Sequence, residues 1–274
     1  MRTLVRVLIA TPAIGFALLS YLYLTLPDVR PLKTENPTTT AWMELRDREA
    51  AAKGRSPRRV QRWVSYNHVS PNLKRAVLVA EDDAFWQHEG IDFEQLQESI
   101  EKDWARGRLL RGGSTITQQL AKNLYLSPSR SILRKLKEAV TAVRLELALP
   151  KDRIMQLYLE TAELGPGIWG MDAASSAYFG VPASKLSAMQ AAALAATLPQ
   201  PRTSNPTFRP ARMLARRELI LARYYGGKTP VPHMDEDAIP EMPEIEAPVL
   251  PVIPDTLTIP DTRKDHPDSG GPTH

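Results

Sequence analysis

Glu81-Asp82-Asp83-Ala84-Phe85-Trp86-Gln87-His88-Glu89-Gly90 begins a stretch that closes at Arg134-Lys135-Leu136-Lys137-Glu138. Between Trp104 and Lys137 no acid occurs, whereas Arg106, Arg108, Arg111, Lys122, Arg130, Arg134, Lys135 and Lys137 do. A long cationic run bracketed by carboxylates suits a bound polyanion with an acid–base group beside it. A solvated basic face is the plainer reading of a charge run taken alone. Just upstream, Ser70 followed by Pro71 has the form of an N-cap with proline at the first helical position. Leu73, Ala76, Val77, Ala80 and Ala84 then share one helical face. Glu81 lies at the edge of that face, about 80° round from Leu73 at 100° per residue.

Working outward, the chain reads as a succession of helices. One is predicted over about 131–149, with Ile132, Leu136, Val140, Val143 and Leu147 as its apolar stripe. Glu138 falls opposite that stripe with Arg134 four residues earlier, which alone would be a surface pair. Further helices are predicted over 151–164, 186–198 and 210–225, the first ending at Gly165-Pro166-Gly167. Strand alternation is scarce, so the class is mainly α.

Composition bounds the function. The 274 residues are 43% hydrophobic, enough for a real core in one ordinary domain with appendages. Cysteine is absent, which excludes disulfides, thiolate metal sites and a cysteine nucleophile. The net charge is +4, so the distribution of charge matters more than its sum. Val7 to Leu26 is an apolar run without charge, and roughly 20 such residues span a bilayer as a helix. Arg2 and Arg6 precede the run, and Tyr21 and Tyr23 lie near its far end. These features place residues 1–6 in the cytoplasm and the chain beyond the span outside it. A cleaved signal peptide is the rival, but no small-x-small cleavage site comes after the run. Residues 27–59 read as a proline-interrupted tether and 60–225 as the globular domain. Residues 226–274 read as an acidic, proline-rich, disordered tail.

Arg111-Gly112-Gly113-Ser114-Thr115-Ile116-Thr117-Gln118-Gln119-Leu120-Ala121-Lys122-Asn123 is a glycine turn feeding a helix. Glycines let backbone N–H groups approach an anion, while a simple Ser or Thr N-cap is the plainer alternative. The GK[ST] ending of a P-loop is missing. His88 has no second histidine at ligand spacing, which favours a structural hydrogen bond over a metal. Lys-Thr-Gly, one of the marks of penicillin-binding acyl transfer, does not occur.

Five blocks in order carry a resemblance. They are Glu81-Asp82 with Phe85, His88 and Gly90; Gly112 to Asn123; Arg134-Lys135 with Glu138; Lys151 with Ile154, Tyr158 and Leu159; and Ala191 to Pro206 around Leu198-Pro199. From about Asn67 to Pro206 the chain resembles glycosyltransferase family 51, specifically its monofunctional biosynthetic peptidoglycan transglycosylases. Three positions depart from that pattern: Glu160 where asparagine is usual, Gln190 where glutamate is usual, and Glu98 where a basic residue is common.

The resemblance implies a lysozyme-like, two-lobed, mainly α domain behind one N-terminal transmembrane helix. It implies a peptidoglycan polymerase on the outer side of the cytoplasmic (inner) membrane, joining a lipid-pyrophosphate-linked glycan to the sugar 4-hydroxyl of lipid II with inversion. Glu81 is then the general base and Glu138 the second essential carboxylate. Lys122, Arg130, Arg134 and Lys137 bind the pyrophosphate, and Gly113, Ser114, Thr115, Gln118, Gln119 and Asn123 line the donor site. Asp82, Phe85, His88 and Gly90 complete the first motif. Family members often use Mg²⁺ or Mn²⁺, for which Glu138 is the candidate ligand, although nothing in the sequence demands a metal. The expected partners are lipid II, the growing glycan chain, membrane lipid and other cell-wall synthesis proteins, and no nucleic acid. A peptidoglycan hydrolase and a non-enzymatic membrane scaffold remain as alternatives, with a nucleic-acid binder the weakest.

Overall fold

The computed structural model describes residues 24–105, 113–129, 131–208 and 210–228, together with residue 231 and some positions between 10 and 21. Helices start where the sequence supplies caps. Thr40 accepts the Met43 N–H at the head of α1 (Ala41–Ala52). Ser70 accepts the Asn72 N–H at the head of α2 (Pro71–Glu81), and Pro71 fills a position whose N–H would have no helical partner. After α3 (Phe93–Ala105) comes α4 (Ile116–Tyr125), opened by a full capping box between Thr115 and Gln118. Ser131 caps α5 (Ile132–Ala148), and Pro150 separates it from α6 (Lys151–Thr161). α7 (Met171–Phe179) ends on Gly180 at φ +68°, a left-handed stop that glycine adopts without strain. α8 (Ala188–Thr197) has a second capping box, Ser187 with Gln190, and α9 (Ala211–Tyr224) comes last. At that N3 position glutamine caps as well as glutamate, which accounts for Gln190.

The helix predicted to reach residue 164 stops at Thr161. The chain turns there into a small sheet of order β1 (Val60–Gln61), β3 (Ile168–Trp169), β2 (Glu163–Gly165). β1 pairs with β3 in parallel and β2 with β3 antiparallel. Strands of two or three residues are too short to show alternation in the sequence. The turn between β2 and β3 needs Gly167, at φ +73°, because a Cβ there would lie 2.6 Å from the Arg58 carbonyl oxygen.

The helices fall into two packed groups. α2, α8 and α9 pack on one another, as do α4, α5 and α6, with α7 touching both α6 and α8. The core is continuous through Leu73, Phe85, Ile116, Leu120, Leu145, Ile154, Leu157 and Leu194. α1 packs against α4, and Trp42 and Met43 form a separate small cluster with Trp169.

α5 corrects the sequence reading. Its predicted stripe faces outward: Ile132 is 90% and Leu147 79% exposed, with Leu136 and Val143 also exposed. Glu138, Thr141, Ala142 and Leu145 are the residues it buries. The ion pairs made by Glu138 are what allow a carboxylate to occupy the inner face. Among the described residues no helix is long and apolar enough to cross a membrane, and much of the run 7–26 lies outside them. Nearly all of the tail beyond 228 lies outside them too.

Candidate active site

α2 delivers Glu81 at its last turn and Asp82 as its C-cap. Both are buried, so both need partners. The Asp82 carboxylate accepts from His88 Nε2 at 3.0 Å and from the Ile116 backbone N–H at 2.9 Å. It thus ties the turn after α2 to the head of α4. The Gly90 N–H donates to His88 Nδ1, which assigns the ring proton to Nε2. His88 is therefore a structural hydrogen-bonding residue. Phe85 is fully buried, edge-on to the Trp86 and His88 rings, with Lys151 Nζ 4.3 Å from its centroid. Gly90 sits at φ +90° against α5, where a Cβ would meet the Ala142 carbonyl at 3.2 Å. The first-motif residues are thus a scaffold that holds the end of α2 onto α4 and α5.

Glu81 is gripped from two sides. Arg216 Nη2 donates to Oε1 at 3.0 Å and to the Ala80 carbonyl at 3.0 Å. Gln119 Nε2 donates to Oε2 at 3.0 Å, and Tyr158 Oη in turn donates to Gln119 Oε1 at 3.0 Å. Each carboxylate oxygen retains a further lone pair, so the group can still accept a proton from a bound hydroxyl. Position is fixed by α9, α4 and α6 together.

A second centre forms around Glu138, which is 2% exposed. Arg134 Nη1 donates to Oε2 at 2.7 Å, and Lys135 Nζ donates to Oε1. Lys135 also donates to Ser114 Oγ at 2.7 Å, and Arg134 Nε to the Ser129 carbonyl. α4 links the two centres: Ser114 at its head reaches Lys135, and Gln119, about a turn and a half later, reaches Glu81.

The remaining sequence-predicted site residues divide. Thr115 and Gln118 are buried and use their side chains on the capping box, with Thr115 also donating to the Gly90 carbonyl at 2.7 Å. Gly113 adopts φ +79° beside Ser99. Asn123 Oδ1 is shielded from solvent with no hydrogen-bond partner among the described residues. Lys122 is buried, its Nζ 5.1 Å from the Trp42 ring centroid. Lys137 points elsewhere, 4.7 Å from the centroid of Tyr21. Arg130 lies outside the described residues.

A divalent cation does not fit Glu138 in this arrangement. Both of its oxygens accept from cationic side chains, and among the described residues no further Asp, Glu or His completes a ligand set.

Sequence reasoning missed Arg216, and it gave Lys135, a member of the basic run and of the third block, no site role of its own. Arg216 shares the buried face of α9 with Met213 and Ile220, and an arginine at a core-facing helical position is itself a signal of a buried acid. Lys135 stands three residues before Glu138, a spacing that brings side chains together on a helix.

The sequence has counterparts. The family model described as Transglycosylase matches residues 48–225. The chain belongs to the transglycosylase family. It is 46% identical over 198 residues to a biosynthetic peptidoglycan transglycosylase of Azoarcus sp. (strain BH72), covering 72% of this chain and 85% of that protein. A protein of the same name from Aromatoleum aromaticum is 47% identical over 188 residues, 69% of this chain and 81% of its own length. One from Nitrosospira multiformis is 40% identical over 195 residues, 71% and 85% of the two chains. Membership makes this transglycosylase a glycosyl-transferring enzyme, and the matched span contains both carboxylate centres and Arg216.

Proposed function

We propose that the protein is a monofunctional peptidoglycan polymerase that transfers a lipid-pyrophosphate-linked glycan to the 4-hydroxyl of lipid II. The observation that carries this reading is the paired centre. One buried carboxylate, Glu81, is oriented by Arg216 and Gln119, and α4 joins it to a cationic cluster built on Glu138. In the reaction the acceptor 4-oxygen attacks the donor anomeric carbon, and Glu81 takes the proton that this oxygen loses. The bond from the anomeric carbon to the pyrophosphate oxygen breaks on the opposite face, so configuration inverts. Charge gathers on the departing pyrophosphate, where fixed cations stabilise it without reorganising. Arg134 and Lys135, held by Glu138, serve that purpose with Lys122, and Arg130 joins them on the strength of the motif. Asn123, with its unmatched carbonyl oxygen, is the donor-site residue that awaits a hydroxyl or amide of the sugar.

Both substrates are lipid-anchored, and the chain is suited to meet them at a bilayer. The apolar run 7–26 supplies a single-pass anchor, with the domain on the outer side of the cytoplasmic membrane. The outward face of α5, Ile132, Leu136, Val143 and Leu147, is the patch that touches lipid, flanked by Lys137 against Tyr21. The domain then has the lysozyme-like form, its two helix groups enclosing the cleft. Incubating the full-length protein with labelled lipid II tests the activity. Glycan that lysozyme digests, accompanied by released lipid pyrophosphate, is the expected product. Soluble muropeptides cut from purified wall, without polymer from lipid II, would instead make the protein a hydrolase.

A further inference from the structure

A cavity of about 280 Å³ among the described residues lies apart from both carboxylate centres and shares no residue with them. It is framed by the end of α1, residues 53–58, the β2–β3 turn and residues 202–208. Arg46, Lys53, Arg55, Arg58 and Arg202 bring cations to it. Its carboxylates are already engaged: Glu49 with Arg46 and Arg202, Glu163 with Arg46, and Asp47 with Arg59. The lining therefore carries net positive charge. Pro166, Tyr178 and Phe208 add apolar wall. The frame is firm, because the Val60 N–H bonds the Gly167 carbonyl and Gly167 packs on Arg58.

The chain carries a matching segment. From Thr229 to Thr262 there is no lysine or arginine, while Asp235, Glu236, Asp237, Glu241, Glu244 and Glu246 cluster together. Within it, Ile239-Pro240-Glu241-Met242-Pro243-Glu244-Ile245-Glu246 interleaves acids with apolar residues, as the cavity interleaves cations with apolar wall. The geometry allows the reach. The 202–208 side of the cavity adjoins the head of α9, whose 14 residues run roughly 21 Å away from it. Extended chain covers about 3.3 Å per residue, so residues from about 235 onward can return that distance from Lys228.

We propose that this cavity docks the protein's own acidic segment, residues 235–246, in cis. The acids meet the cationic rim and the interleaved isoleucine, methionine and prolines meet Tyr178 and Phe208. Charge complementarity and tethering both favour this occupant, since a covalently attached ligand is present at high effective concentration. The inference is independent of the reaction assigned above.

Zero-length carbodiimide cross-linking of the full-length protein tests it, because that reagent joins only touching carboxylates and amines. Mass spectrometry should find Lys53 joined to residues 235–246 within one chain, with a yield that does not change on dilution. The cross-link should be lost at high salt. It should also be lost in Arg55→Glu/Arg58→Glu, two exposed positions whose variant is checked for parental thermal unfolding, and in Glu241→Gln/Glu244→Gln/Glu246→Gln. Cross-links spread equally over Lys74, Lys137 and Lys185 would overturn the proposal. So would a Lys53 cross-link that survives the charge reversal, or one that forms only between chains.

Discussion

Arg216 offers one guanidinium nitrogen to both the Ala80 carbonyl and Glu81, and only its core-facing place on α9 hints at that role in the sequence. Lysine keeps the charge but not the planar fork. Arg216→Lys should lower kcat by roughly 10–100-fold, about 1.4–2.7 kcal/mol, with a smaller change in KM. Arg216→Ala should lower stability by about 3–5 kcal/mol, because it leaves a buried carboxylate unpaired. Steady-state kinetics and urea unfolding separate the two effects. Glu160 is the other residue with a distinctive environment. It is fully buried, and neither oxygen has a well-formed hydrogen bond. Burial, with Asp172 nearby, pushes its carboxyl from the ordinary 4.5 up to about 8, against the Val64 backbone. Below pH 4.5 the folded and unfolded chains both hold this proton. Between about 4.5 and 8 the unfolded chain has lost it and the folded chain has not, so stability falls as pH rises through that window. The total is on the order of 3–5 kcal/mol. Thermal unfolding of Glu160→Gln should lack this component and exceed the parent at pH 8, while a pH profile parallel to the parent would refute it. Glu81 and Glu138 could be named as candidates because their motifs are local in sequence. Arg216 could not, since its partner lies 135 positions away.

Among elements, α4 and α5 position most of the site. Caps and prolines made most helix boundaries readable, because each is a local hydrogen-bond or steric event. Orientation was less readable. Periodicity finds an apolar stripe on α5, yet cannot say whether core or lipid covers it, and here the ion-paired Glu138 face turns inward. Replacing Leu136 and Leu147 by serine should therefore leave unfolding within about 0.5 kcal/mol of the parent. Binding of the protein to anionic vesicles should fall. A large loss of stability with unchanged vesicle binding would return the stripe to the core. Gly90 fixes the approach of the first-motif turn to α5. Gly90→Ala has to tolerate both φ +90° and contact with the Ala142 carbonyl, and should cost about 1–3 kcal/mol in urea unfolding. A neutral result would mean that the turn moves freely on α5.

Across the whole molecule, the two helix groups meet at α4, whose head serves the Glu138 centre and whose middle serves Glu81. The mainly helical class was legible from helical periodicity and the family from motif order. The packing of α1, which sets Trp42 beside Lys122, was not, because α1 is largely polar and its buried residues are few. The short sheet escaped for a similar reason, its strands being fixed by glycine turns and not by their own pattern. In the proposed reaction Glu81 removes the proton from the attacking hydroxyl while the Glu138 cluster holds the pyrophosphate. The most direct measurement of this is the initial rate of polymerisation of labelled lipid II by full-length Glu81→Gln beside the parent, with folding of both checked by thermal unfolding. The expected result is a folded variant whose rate falls at least about a hundredfold, the loss that follows when a general base is removed. A folded Glu81→Gln protein that polymerises within a few-fold of the parent would contradict that role.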